Sequence, residues 1–188
     1  KARANEDRNL PATHPDRADS LHNEAAVLIR LGQLDAAQAL LTKALSLLAE
    51  TLPADNPRTA VHRDSLAEID LLRGNYMAVI NRLSALIDAL PDSPATLRQR
   101  IVSLRKLALA QRGARQWEAA TATAQRSIDL ATSTDPAADR SADRALGLLL
   151  QALIALDQQQ PALVAERYAA ALQAAPDCEQ GACALDQS

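Results

Sequence analysis

Apolar residues return every three or four positions along most of the chain, and short polar turns interrupt the rhythm. That spacing gathers the apolar side chains onto one face of a helix. It predicts helices near 16–31, 34–50, 58–73, 76–90, 95–112, 116–132, 137–157 and 161–175. Few β-branched runs occur, which argues against sheet. Within the pattern, small residues stand where a core helix would carry large ones. Two helices packed back to back need small side chains where their axes come closest. Ala25 is therefore expected to face Ala37, and Ala44 to admit the next helix pair.

The helix starts repeat. "LPATHP" at Leu10–Pro15 recurs as "LPADNP" at Leu52–Pro57, an offset of 42, and "DSP" (Asp92–Pro94) and "TDP" (Thr134–Pro136) follow. Proline in the first helical turn sacrifices no hydrogen bond, because that N–H has no intrahelical partner. The preceding His14, Asn56, Ser93 and Asp135 are mostly helix-capping types. Turns lie between the starts: "RLGQL" (Arg30–Leu34), "LRGNY" (Leu72–Tyr76), "GARQW" (Gly113–Trp117) and "LDQQQP" (Leu156–Pro161). Each unit reads as helix, tight turn, helix, longer loop. The small positions of the first unit return as Ala67, Val79 and Leu86, then Ala108, Ala120 and Ser127, then Ala152, Val164 and Ala171, in steps of 42, 41 and 44 residues. Such a fixed period is the mark of a repeat array.

These features resemble the tetratricopeptide repeat family. Its markers are a small residue midway along the first helix, Gly in the turn, an aromatic opening the second helix, two further small residues and a closing Pro. "GNY" with Tyr76, "RQWEAA" with Trp117, and Pro91 and Pro176 match them. The 42-residue spacing and "HPDRADSLHNEAAVL" are similar to the longer subclass found in kinesin light chains and many bacterial proteins. Arg115 and Gln159 depart from the turn Gly, Leu34 and Pro161 from the aromatic, and Leu86 from a small residue. The resemblance covers residues 14–176 and implies an all-α, right-handed superhelical solenoid of antiparallel helix pairs. Its units would span 14–52, 56–91, 93–133 and 135–176. By the duplicated "LPA", Lys1–Asn9 is expected to end a preceding helix, with a disordered charged terminus as the alternative within 1–13; 177–188 reads as a flexible tail.

Composition supports close helix packing. Hydrophobic residues make up 48% of the 188, yet aromatics only 2%, with no Phe, so the core must be built from Ala, Leu, Ile and Val. The net charge of −3 and the lack of a basic aromatic platform argue against a nucleic-acid partner. No apolar run is long enough to predict membrane insertion. Cys178 and Cys183 read as free thiols, with a small disulfide loop as the alternative.

By resemblance, the first helices line a concave groove. Carried over position by position, its stripe is Asp19, His22, Asn23, Ala26, Ile29 and Arg30, then Asp64, Ser65, Glu68 and Leu71. The third unit gives Val102, Arg105, Lys106, Leu109 and Arg112, and the fourth gives Leu146, Leu149, Leu150, Leu153 and Leu156. Asn23 is similar to the family's groove Asn, whose amide both donates to and accepts from a peptide backbone; a solvated polar residue is the alternative. Arg105, Lys106 and Arg112 offer a carboxylate three positive charges, unless local acids balance them. "RALGLLLQALIAL" is apolar on every face. Leu146, Leu149, Leu150 and Leu153 should therefore form an apolar patch, covered by a further element or a second copy, or open to a partner.

Catalytic chemistry is not expected. His14, His22 and His62 show no zinc-protease spacing, and no phosphate loop or nucleophile elbow appears. Neither a metal nor a cofactor is implied. The sequence reads as a non-catalytic module binding a protein or peptide partner. Its rivals are a regulatory or sensory segment of a larger bacterial signalling protein such as a protein kinase, and a homo-oligomerisation domain working through the leucine-rich fourth unit.

Overall fold

The structure, a computed structural model, describes residues 14–53, 56–132 and 140–175. These residues form helices α1 (Pro15–Arg30), α2 (Leu34–Thr51), α3 (Pro57–Leu72), α4 (Tyr76–Ala89), α5 (Pro94–Gly113), α6 (Trp117–Thr132), α7 (Ser141–Asp157) and α8 (Pro161–Ala174), with no strand among them. The architecture is an all-α repeat solenoid. The chain divides into two compact units, 1–91 and 92–188, each with two helix pairs. Among the described residues, no helix is long and apolar enough to cross a membrane.

Proline and a capping side chain start the helices. Pro15, Pro57, Pro94 and Pro161 each open one. His14 Nδ1 accepts the Asp16 N–H at 3.2 Å, and Asn56 Oδ1 accepts the Arg58 N–H at 2.9 Å. Such caps satisfy donors that the first turn leaves unpaired. The expected helix start at 137, with Pro136, lies outside the described residues, as do Lys1–Asn9, Pro176, Cys178 and Cys183.

The four tight turns share one backbone design. Gln33, Asn75, Gln116 and Gln160 each donate a backbone N–H to the carbonyl five residues earlier: Leu28, Asp70, Gln111 and Ala155, at 2.8–2.9 Å. That bond closes the helix end around one left-handed residue. Gly32 and Gly74 fill that place at φ +72° and +75°, but Arg115 and Gln159 fill it at +59° and +57°. The substitutions of turn Gly noted in the sequence thus keep the conformation and bear its strain. A left-handed L-residue costs about 1–2 kcal/mol, part of which glycine's extra unfolded freedom offsets. Arg115→Gly and Gln159→Gly are each expected to stabilise by up to about 1 kcal/mol. Gly32→Ala should lose about as much, although its Cβ meets no atom within 4 Å, since backbone strain alone is at stake. Denaturant midpoints at constant m check the signs.

Small residues make the core. In the first unit, Ala25 and Ala37 are fully buried and cluster with Leu41 and Ile69. Ala44 differs from its expected role. It packs with Ala18, Leu21 and Leu48 of its own helix pair, while Ile69 brings α3 in beside Ala37. In the second unit, Ala108, Ala120 and Ala124 cluster with Leu150 and Ile154, and Ile128 with Leu148 and Ala171. The backbone at Gly147 is pressed against α6: a Cβ there would lie 2.6 Å from Ile128 Cγ1 and 3.2 Å from Ser127 Oγ.

Candidate functional site

In the first unit, α1 and α3 lie side by side, joined by a polar network. Arg58, one residue into α3, reaches back to α1. Its Nε donates to both Asp19 carboxylate oxygens at 2.9 and 3.0 Å, and its Nη2 donates to Asp16 Oδ1 at 2.7 Å and to Asp19. One turn on, His62 is only 2% exposed. Its Nδ1 sits 2.9 Å from the Arg58 carbonyl and its Nε2 3.2 Å from the Ala18 carbonyl. The His22 ring tilts against it, with centroids 4.8 Å apart. His22 Nε2 in turn shares a hydrogen bond of 2.9 Å with Ser65 Oγ.

Electrostatics follows this geometry. The Arg58 hydrogen bond holds the Asp16 carboxyl below its ordinary range, though Asp16 is exposed and water screens the interaction. The bonds from Asp19 and then Asp16 push the Arg58 guanidinium above its usual value.

The network leaves a face open. Asn23, Ala26 and Arg30 are exposed on α1, with Ile29 half-buried beside them. On α3, Val61 and Leu72 are 39% and 57% exposed, and the half-buried Ser65 and Glu68 lie in the same row. Asp64 is buried, and Leu71 is half-buried like Ser65 and Glu68.

In the second unit, α5 and α7 are also bridged by charge. Arg105 Nη1 donates to Asp143 Oδ1 at 2.5 Å. Arg112 Nε and Nη2 donate to Asp157 at 2.6 and 3.1 Å, and this pair holds the Asp157 carboxyl below its ordinary range. Two of the cations expected to meet a ligand carboxylate therefore hold carboxylates of this chain instead. Lys106, Val102 and Leu109 are half-buried, Leu109 packing on the Ala108 cluster.

The leucine patch needs a similar correction. Leu150 is 4% exposed and belongs to the core with Ala108 and Ile154. Leu149 packs partly on Ile128 and Leu148. Leu146, Leu153 and Leu156 are 39%, 42% and 58% exposed, so α7 is not covered on all sides among the described residues. One row of α7 is open and the opposite rows are core.

Sequence reasoning missed Arg58, His62, Asp143 and Asp157 as parts of these networks. A signal existed. The Arg58–Asp16, Arg105–Asp143 and Arg112–Asp157 partners are 42, 38 and 45 residues apart, about one repeat period. Opposite charges at that separation sit on neighbouring first helices. Among the described residues, no group of three His, Cys, Asp or Glu side chains is placed to hold a metal ion.

Residues 16–92 match the tetratricopeptide repeat family. Two crystal structures of nearly identical TPR-like repeats, from a Podosopora anserina protein assigned as a kinesin light chain, share the fold. One aligns over 95% of this chain and 84% of its own at 19% identity, with a TM-score of 0.68. The other aligns over 90% and 81% at 20% identity, with a TM-score of 0.64. No curated protein matches the sequence.

Proposed function

We propose, from the match of residues 16–92 to the tetratricopeptide repeat family, that this chain is a non-catalytic module binding a peptide or partner protein. The binding face is the open row of α1 and α3 in the first unit. One observation carries this reading: the Arg58–His62–His22 network fixes the two helices side by side while leaving Asn23, Arg30, Val61 and Leu72 exposed. A face held rigid before binding loses little ordering entropy when a segment docks. The Asn23 amide donates to and accepts from the segment's backbone. Val61 and Leu72 cover an apolar side chain, and Arg30 pairs with an acidic one. His22, Ser65 and Glu68 form the groove floor. In the second unit Lys106 faces the corresponding row, while Arg105 and Arg112 act by bracing α5 against α7.

A peptide-display screen on the purified chain tests this, followed by titration of the selected peptides against an Asn23→Ala/Arg30→Glu variant. Both residues are exposed, so circular dichroism should be unchanged. The selected peptides are expected to lose at least about tenfold in affinity, the scale of a central interface contact. Peptides that bind both proteins equally would show that the segment does not lie on this face.

A further inference from the structure

The second unit carries a concavity that the groove reading does not use. It lies among α6, α7 and α8, has a volume of about 470 Å³, and is lined by Trp117, Gln125, Gln151, Ile154, Leu163 and Arg167 with several neighbours. Most of its wall is apolar, but a chain of amides runs along one side. Gln125 Nε2 donates to Asp129 Oδ1 at 2.8 Å, and Gln151 Nε2 donates to Gln125 Oε1 at 3.0 Å.

This relay fixes which way both amides point. A carboxylate only accepts, so Gln125 must turn its NH₂ toward Asp129. Its carbonyl oxygen then faces Gln151, which must answer with its own NH₂. The Gln151 carbonyl oxygen is left over. It is buried, its residue is only 6% exposed, and it has no hydrogen-bond partner among the described residues. Buried acceptors in folded proteins are rarely left unmade, and each exception calls for a reason. Gln151 is among the residues that line the concavity, so a donor seated there is the partner this oxygen lacks.

We propose that the concavity binds a primary carboxamide, the side chain of an asparagine or glutamine on a partner segment, whose N–H donates to Gln151 Oε1. Trp117, Ile154 and Leu163 cover the aliphatic stem of such a side chain. Arg167 lines the concavity and supplies donors for its carbonyl; its Nη2 stands 3.7 Å from Glu166 Oε1, beyond ordinary hydrogen-bond distance. A charged side chain fits less well. Glu118 and Arg167 both line the site, and their opposite charges give neither sign of ligand a net attraction. A carboxamide brings the donor and the acceptor on one neutral group and lengthens the existing relay by one member. The proposal is independent of the groove on α1 and α3.

Trp117 is the sole tryptophan and lines this site, so its fluorescence reports a ligand bound there. The full chain is titrated with 4-methylpentanamide and with methyl 4-methylpentanoate, which keeps the branched chain and the carbonyl but has no N–H. The amide is expected to change Trp117 emission saturably and to bind about tenfold more tightly than the ester, because only the amide satisfies the buried acceptor. In Gln151→Met, an apolar side chain of equal length, the preference for the amide should vanish. The proposal is overturned by the absence of a saturable response to the amide, by equal binding of amide and ester, or by an amide preference that survives Gln151→Met. The amide–ester comparison on the unaltered chain decides even where that variant fails to fold.

Discussion

Gly147→Leu is expected to destabilise the second unit by about 3 kcal/mol, at the upper end of the cost of overpacking a core. Gly147 lies in the middle of α7, where its backbone meets α6. Even a methyl group there would stand 2.6 Å from Ile128 Cγ1 and 3.2 Å from Ser127 Oγ. Ile128 is itself 7% exposed and packed against Leu148 and Ala171. Its β-branched side chain has one strongly preferred rotamer in a helix, so it cannot simply swing aside.

Gly147→Ala gives a sharper test, because two effects oppose each other. Ala favours a helix interior over Gly by about 1 kcal/mol. The clash costs about 1–3 kcal/mol and should win, giving net destabilisation. In an Ile128→Ala background the obstructing Cγ1 is gone. There Gly147→Ala is expected to become stabilising by up to about 1 kcal/mol, the helix preference less what the remaining contact with Ser127 Oγ at 3.2 Å takes back. A change of sign is the signature of a direct contact in a double-mutant cycle. Urea unfolding followed by Trp117 fluorescence measures it in the right unit, since Trp117 opens α6. If Gly147→Ala stabilises both backgrounds, α7 does not approach α6 as closely as the structure places it.

Gly147 also shows where sequence reasoning reached its limit. The run "RALGLLLQALIAL" reads as apolar on every face, and its composition alone suggests complete burial. What sorts its leucines is geometry. Gly147 draws one side of α7 onto α6, which puts Leu148, Leu150 and Ile154 into the core and turns Leu146, Leu153 and Leu156 outward. An isolated Gly in a helical pattern is the available hint of close approach.

The helix pairs were legible because their signals are local: Pro after a capping residue, turn chemistry, and apolar spacing. The places of the turns were legible even at Arg115 and Gln159, because repeat alignment puts them where Gly32 and Gly74 stand; that they keep the left-handed conformation was not. The fate of Arg105 and Arg112 was not, because a charge pairs with whatever its neighbouring helix offers. That partner lies about a repeat period away in sequence rather than a few residues away. Ala44 misled for a similar reason: its size signals close packing but not which helix comes close.

His62 occupies the same place in its repeat as Gly147, five residues before the buried small residue, Ala67 in one case and Ala152 in the other. Both positions face the preceding helix pair. Gly147 meets it by removing a side chain, His62 by filling the gap with a ring whose nitrogens lie 2.9 and 3.2 Å from the carbonyl oxygens of Arg58 and Ala18. His62→Ala should therefore cost about 3 kcal/mol, as for other large-to-small core changes. His62→Leu keeps most of the volume and should cost about half as much. The carbonyls beside it lie within helices, so the loss is near that of one ordinary hydrogen bond, about 1 kcal/mol. Arg58→Met breaks more bonds than either, yet its effect should be several-fold smaller than that of His62→Ala. Asp16 and Asp19 are 55% and 44% exposed and return to water when Arg58 is gone. Burial, not the number of bonds, ranks the three. Amide hydrogen exchange resolves them by element. His62→Ala should speed exchange in α1 and α3 by about a hundredfold where exchange follows global opening of the unit. Faster exchange in Arg58→Met than in His62→Ala would mean that the ion pairs, rather than the buried ring, hold the two helices together.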